Sequence, residues 1–310
     1  EELGRIFGSA WPAVRQRVSV HDARDEAGLV ELGLTSAETR VKVNRRAAEA
    51  EKIIILGSVE THYFAGYTGG RKIVLPGIAG FEAIEQNHRL ALKAGAQALR
   101  LDGNPVHRDM DEALGMLLEG REMFALLAVL DRRHRVYAAA GGAVRPAFEA
   151  AAARVDEIFA VPAGQKADIV VAVASAPLDI DFYQAQKLVE NGRLVLNEGG
   201  ILIIVSACRT GTGSDAFLKL MAEAGSPVAV LEAARDRYQL GFHKSARLAE
   251  VAARAEIWAV VGVDDGVAET AFMRPFPGVQ EALDAALNAR PGGSVWFLMD
   301  AGVTVPRLPD

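Results

Sequence analysis

Short apolar runs alternate with amphipathic stretches along most of the chain, and this alternation is what first constrains its fold. Residues 53–56 form a near-continuous apolar run that reads as a strand buried on both faces of a parallel sheet. Residues 123–130 and 135–140 are further strand candidates, the second bounded by Gly141-Gly142. Residues 109–119 and 147–158 carry helical patterns. From Asp168 a new series starts, with strands expected over 169–174, 201–205, 228–231, 257–261 and 294–299. Helical patterns over 215–224, 243–255 and 279–287 lie among them. Strands alternating with helices imply parallel βαβ units. The expected fold is α/β in two lobes, each a mostly parallel sheet flanked by helices, with the site in the cleft between them. The connector FAVPAGQKAD after the first Ala-rich helix divides the lobes into residues 1–163 and 164–310.

Composition narrows this picture. Of 310 residues, 50% are apolar and 24% charged, ample for two large cores. The formal net charge of −6, with no basic stripe, argues against nucleic acid as a partner. A single cysteine, Cys208, excludes an intramolecular disulfide and fits a reducing compartment, so a cytoplasmic location is expected. No apolar run approaches the roughly 18 residues of a membrane span, and no membrane partner is expected. CxxC, HExxH, GxSxG and GxGxxG patterns are all missing, which disfavours ordinary NAD chemistry.

Candidate chemistry concentrates between Lys52 and His88. After the first strand comes a loop holding His62, Tyr63, Gly66, Gly69, Gly70, Arg71 and Lys72. A second apolar run, 73–75, is closed by Pro76-Gly77, and a helix from about Ala79 is expected to carry Asn87 and His88 in its middle. Ligands in open α/β sheets collect where strands feed loops at their carboxyl ends, and glycines there let the backbone approach an anion. Taken singly, the glycines are turn residues, His88 an ordinary helix histidine and Arg71-Lys72 a solvated basic pair. Taken together they form a floor for an anionic cofactor. In the second half, a helix over residues 183–188 sets Gln184 and Lys187 as i, i+3 neighbours, able to hold a carboxylate or simply to form a polar helix start. Cys208 reads as a small strand-end residue before the Gly-rich turn CRTGTGSDAF, His21 as a turn histidine, and His107 and His134 as surface residues. His243-Lys244 opens a helix and is given no role.

The run HYFAGYTGGRK…PG…NH resembles the nickel-pincer lactate racemase family, and the resemblance extends over nearly all of the chain. It implies an isomerase, a racemase or epimerase acting on a 2-hydroxy acid such as lactate. His62 matches a catalytic acid/base. Lys72, ten residues later, matches the lysine that holds the nickel-pincer nucleotide (pyridinium-3-thioamide-5-thiocarboxylic acid mononucleotide nickel) covalently, and His88, sixteen further on, matches the nickel ligand. A planar set of two sulfurs, a ring carbon and an imidazole suits nickel. Gly69, Gly70 and Tyr183 would lie along the cofactor, with Gln184 and Lys187 as catalytic residues on the substrate side. Besides the hydroxy acid, the implied partners are the enzymes that make the cofactor. The family's N-terminal region, with a second acid/base histidine and phosphate-binding residues, would precede Glu1, so the first lobe is expected to be incomplete. A second reading is a non-catalytic binder or carrier of the same nucleotide.

Overall fold

A computed structural model describes residues 2–213 and 216–309. In the N-terminal half, a hairpin of β1 (Leu29–Leu34) and β2 (Arg40–Asn44) precedes β3 (Lys52–Ser58), the small ribbon β4 (Thr61–His62) and β5 (Gly66–Tyr67), then β6 (Glu122–Leu130) and β7 (Val136–Ala143). β3 runs parallel to β6, with Lys52 opposite Glu122 and Ser58 opposite Ala128, and β7 returns antiparallel along β6. The longer helices of this half are α1 (Phe81–Arg89), α2 (Pro105–Leu118) and α3 (Val144–Phe159). α2 begins where the Asn104 side chain accepts the Val106 and His107 N–H groups, with Pro105 in the first position. Its Met110, Leu114 and Leu117 join Ala125, Leu127 and Val129 of β6 in one core.

That core covers only one face of the sheet. Ile55 is buried, but Ile54 and Leu56 are 70% and 67% exposed, and the residues opposite them, Phe124 and Leu126, are both 49% exposed. The expectation of a strand buried on both faces is therefore corrected. Successive side chains point to opposite sides of a strand, and among the described residues no helix lies over the second side. An apolar run looks the same in the sequence whether one face is covered or two.

The C-terminal half follows β8 (Ala160–Pro162). It contains β9 (Ala167–Val173), β10 (Leu196–Ser206), β11 (Glu256–Val261), β12 (Met273–Pro275) and β13 (Val295–Leu298) in one all-parallel sheet of order β12-β11-β10-β9-β13. A last strand, β14 (Val305–Arg307), pairs back onto β8. The longer helices are α4 (Phe182–Gly192), α5 (Ala216–Ala224), α6 (Pro227–Asp236), α7 (Phe242–Ala252) and α8 (Val279–Ala289). Alternation along the strands fills both faces. Val170, Ala172, Leu202 and Ile204 join the core of α4, α5 and α7, while Ile169, Val171, Ile201 and Ile203 pack with Ala282 and Ala286 of α8. The strand expected at residues 228–231 is part of α6. Ser226 accepts the Ala229 N–H as an N-cap and Pro227 takes the first turn, so a capped helix start prevails over a short apolar run.

The strand order reverses at β9, from which the chain steps outward to β12 and returns on the other side as β13. A crevice outside the carboxyl ends of β9 and β13 is therefore a topological switch point, the usual place for a ligand in such a sheet. Arg247 ties the two halves beside it. Its guanidinium grips Glu190 through two bonds of 2.6 and 2.7 Å and donates to the Ala96 carbonyl at 2.9 Å. Burial pushes the Glu190 carboxyl up, but Arg247 and Arg193 outweigh it and hold the group below its ordinary value. Arg247→Leu leaves this buried carboxylate with only Arg193, at 3.2 Å, so urea unfolding should show a loss of about 3 kcal/mol, the low end for breaking a buried pair. A loss below about 1 kcal/mol, the level of a surface pair, would mean the contact is dispensable.

Candidate functional site

β3 delivers the chain into the β4–β5 ribbon, which carries His62, and then into a short 3-10 turn, Gly70–Ile73, which carries Lys72. Gly69 and Gly70 have φ of +74° and +52°. A Cβ on Gly69 would lie 2.7 Å from the Ser58 carbonyl oxygen, and one on Gly70 would lie 2.9 Å from the Phe148 ring. Close packing under a left-handed backbone thus requires glycine at both positions.

Arg71 is not solvated as expected. It is 1% exposed, donates from Nε to His107 Nδ1 at 2.7 Å and from a terminal nitrogen to the Ala65 carbonyl at 2.7 Å, and lies over the Phe148 ring. Its other terminal nitrogen has no partner among the described residues. Burial lowers the guanidinium pKa to about 9. His107, expected at the surface, is half-buried against it, and burial followed by the Arg71 charge lowers its pKa to about 4. His134 is exposed, as expected. His21 bonds the Ala79 carbonyl at 2.9 Å and Asn44 at 3.1 Å, a structural arrangement.

Phe64 is the hub of the site. Around its ring stand His62, His88 and His243, with centroid distances of 4.5, 5.3 and 5.3 Å, and His88 and His243 are 5.5 Å apart. Lys72 lies close enough for its charge to depress both His62 and His88. Burial lowers Lys72 itself to about 8, with Arg71 adding to the effect. His88 sits at the last turn of α1, not in its middle. Its Nδ1 lies 2.8 Å from the Ile84 carbonyl, which can only accept, so Nδ1 carries the proton and Nε2 keeps its lone pair. Burial, then Lys72, lowers the His88 pKa to about 4, which keeps that lone pair free at neutral pH. His62 has the opposite arrangement. Its Nδ1 accepts the Ala65 N–H at 3.2 Å, so the neutral ring holds its proton on Nε2. Burial, with Lys72, His88 and Lys187 around it, drives the His62 pKa well down.

The C-terminal half faces this cluster with α4. Asp181 caps the helix by accepting the Gln184 N–H at 2.7 Å, which fixes Tyr183 and Gln184 in the first turn and Lys187 one turn on. A cleft of about 330 Å³ opens between the halves, with His62, Tyr63, Arg132, Pro177, Lys187 and Val303 in its wall. These residues lie in the segments that follow β3, β6, β9 and β13, and in α4. Burial lowers the Lys187 ammonium. The structure thus brings His62, Lys72, His88 and Lys187 together, with Tyr183 and Gln184 on the facing helix start. His243 and Lys244 received no role from the sequence, and only the docking of α7 against α1 brings them in. The adjacent His-Lys pair at a helix start was the available signal. Cys208 is a buried small residue, as expected. Of the turn after it, residues 214 and 215 lie outside the described part of the chain.

Among the described residues, no three or more His, Cys, Asp or Glu side chains gather to hold a metal. His88 offers one nitrogen, so a metal bound here would draw its remaining ligands from a group that arrives with it. Lys72 offers a desolvated amine beside it. The donor set fits a metal carried by a covalently attached organic group.

A two-lobed α/β protein with a cleft at its strand ends and a histidine–lysine cluster beside it is a protein built to hold a ligand between lobes. Known proteins identify the kind. Residues 1–99 match the model of the lactate racemase N-terminal domain, and residues 163–305 match that of the lactate racemase C-terminal domain. The chain belongs to the lactate racemase family. It is 32% identical over 234 residues to the lactate racemase of Thermoanaerobacterium thermosaccharolyticum, a match covering 74% of this chain and 54% of that protein. With the lactate racemase of Lactiplantibacillus plantarum it shares 31% identity over 222 residues, 71% of this chain and 51% of that one. The chain spans about half the length of these curated relatives. Its fold is similar to the lactate racemase apoprotein structure from T. thermosaccharolyticum, with TM-score 0.87, 28% identity and coverage of 94% of this chain and 70% of that one. A Thermotoga maritima protein shares the fold at TM-score 0.70 and 17% identity, over 93% of this chain and 77% of that one.

Proposed function

We propose that this chain inverts the α-carbon of a 2-hydroxy acid as a racemase or epimerase, with a nickel-pincer nucleotide attached at Lys72 and its nickel on His88. The observation that carries the reading is the convergence of Lys72, His88 and His62 on one desolvated cluster around Phe64. Lys72 would bond the cofactor through its amine, and Nε2 of His88 would take the metal. Gly69 and Gly70 set the tightly packed turn that carries Lys72, and Tyr183 would reach the cofactor from the first turn of α4. When bound, the nucleotide would supply a reversible hydride acceptor for the α-carbon.

The side chains account for the rest. Lys187 and Gln184 would hold the substrate carboxylate by charge and hydrogen bond. With its proton on Nε2, His62 is set to donate to the oxygen of a planar 2-oxo acid. To take the hydroxyl proton as a base, it must adopt the other tautomer and release the Ala65 N–H. Catalytic hydrogen bonds that are long before substrate binds are ordinary, and this one is 3.2 Å.

The test uses protein co-expressed with cofactor-making enzymes and given single enantiomers of 2-hydroxy acids deuterated at the α-carbon. Inversion on chiral chromatography, with deuterium retained, is the expected result. Nickel and nucleotide bound without inversion of any acid would establish a carrier instead.

A further inference from the structure

Lys244 is a half-buried cation that the reaction above leaves unused. It sits in the first turn of α7, where Gly241 (φ +107°) begins the helix and the Lys244 N–H donates to the Gly241 carbonyl at 3.0 Å. A cation there lies at the positive end of the helix dipole, the unfavourable end for it. Gln186 of α4 donates to the Lys244 carbonyl, which locks this turn onto the helix carrying Tyr183, Gln184 and Lys187. The Lys244 Nζ stands 3.1 Å from the centre of the Tyr183 ring, a cation–π contact that holds the side chain against the first turn of α4. It makes no ion pair with any described residue: Asp181 and Glu190 act on it only through space. Burial, and then the neighbouring Lys187, lowers its pKa to about 7. Two half-buried ammonium groups, one on α4 and one at the start of α7, thus repel one another. Apart from the Tyr183 ring, no contact among the described residues offsets the water that Lys244 loses or its repulsion by Lys187. An anion between them would offset both costs.

We propose that Lys244 is an anion-binding residue beside the cleft wall that Lys187 lines, its ammonium joining Lys187 to take a carboxylate or phosphate group of the bound ligands while Tyr183 holds it in place. This rests on the cleft being the ligand site of the racemase reading, and it names a residue that the reading does not require. The substrate carboxylate and the nucleotide phosphate present the same chemistry, and the experiment separates them.

Apo-protein is titrated by calorimetry with oxamate, an unreactive carboxylate, and separately with inorganic phosphate. Lys244→Met keeps the length and removes the charge, so affinity for one of the two should fall by about tenfold or more, while Lys244→Arg stays within about threefold of wild type. A fall for oxamate assigns Lys244 to the substrate, and a fall for phosphate assigns it to the nucleotide. Wild-type protein alone supplies a second measurement that does not depend on the variant folding: the anion that binds should protect Lys244 from acetylation, read by peptide mass. No anion binding by wild type, equal affinities in Lys244→Met, or unprotected Lys244 would each overturn the proposal. These arms need neither nickel nor turnover, so failure of the racemase reading would show separately, as an absent adduct or absent inversion.

Discussion

Lys72→Ala protein, purified after co-expression with the cofactor-making enzymes, should show only its polypeptide mass and no racemisation. Wild type should carry the nucleotide as a covalent adduct. Attachment needs a neutral amine, and a surface lysine is almost wholly protonated at neutral pH because its pKa is near 10.4. Burial, with Arg71 beside it, brings Lys72 down to about 8. Desolvation disfavours the charged form, so the free amine grows tenfold per pH unit up to about 8 and changes little above it. Acylation of Lys72 in apo-protein by a small reagent, mapped by peptide mass, should therefore level off above pH 8, while exposed lysines keep rising. An adduct that survives in Lys72→Ala would move the attachment elsewhere. A Lys72 profile identical to that of surface lysines would remove the physical reason for its choice.

His88→Ala should separate metal from nucleotide. On the proposed attachment the lysine bond would hold the organic part, so the adduct mass should stay while nickel per chain falls to a small fraction of wild type. His88 is prepared for this role by the Ile84 carbonyl, which fixes the proton on Nδ1, and by burial, which with Lys72 lowers the ring to about 4. His62→Ala supplies the contrast: both nickel and adduct remain, and turnover falls by roughly 10²–10⁴, the usual contribution of a positioned acid/base. Elemental analysis and intact mass on the two variants decide between them. Full nickel in His88→Ala would take that residue off the metal, and wild-type turnover in His62→Ala would clear it of proton transfer.

Tertiary structure changes what several side chains can do. Arg71 and Lys72 are adjacent in sequence, yet one is sealed under Phe148 and the other opens to the histidine cluster, because the 3-10 turn rotates them onto different sides. His107 becomes an acceptor for Arg71 only through the packing of α2 on that turn. Lys244 follows α4 by more than fifty residues and meets Tyr183 only when α7 docks beside it.

The sequence by itself determined the α/β class, most strands of the second sheet and the spacing of His62, Lys72 and His88. Strands such as Ala167–Val173 and Glu256–Val261 are packed by apolar neighbours on both faces, so their period and content declare them. Two kinds of fact depended on the folded chain. Which apolar face is covered, as at Ile54 and Leu56, and whether an apolar run follows a capped helix start, as at Ser226-Pro227, depend on neighbours that local pattern does not contain. The properties of the site arose in the same way: tautomer, desolvation and the pairing of Lys187 with Lys244 are set by groups distant in sequence, since pKa and hydrogen-bond direction respond to surroundings in space.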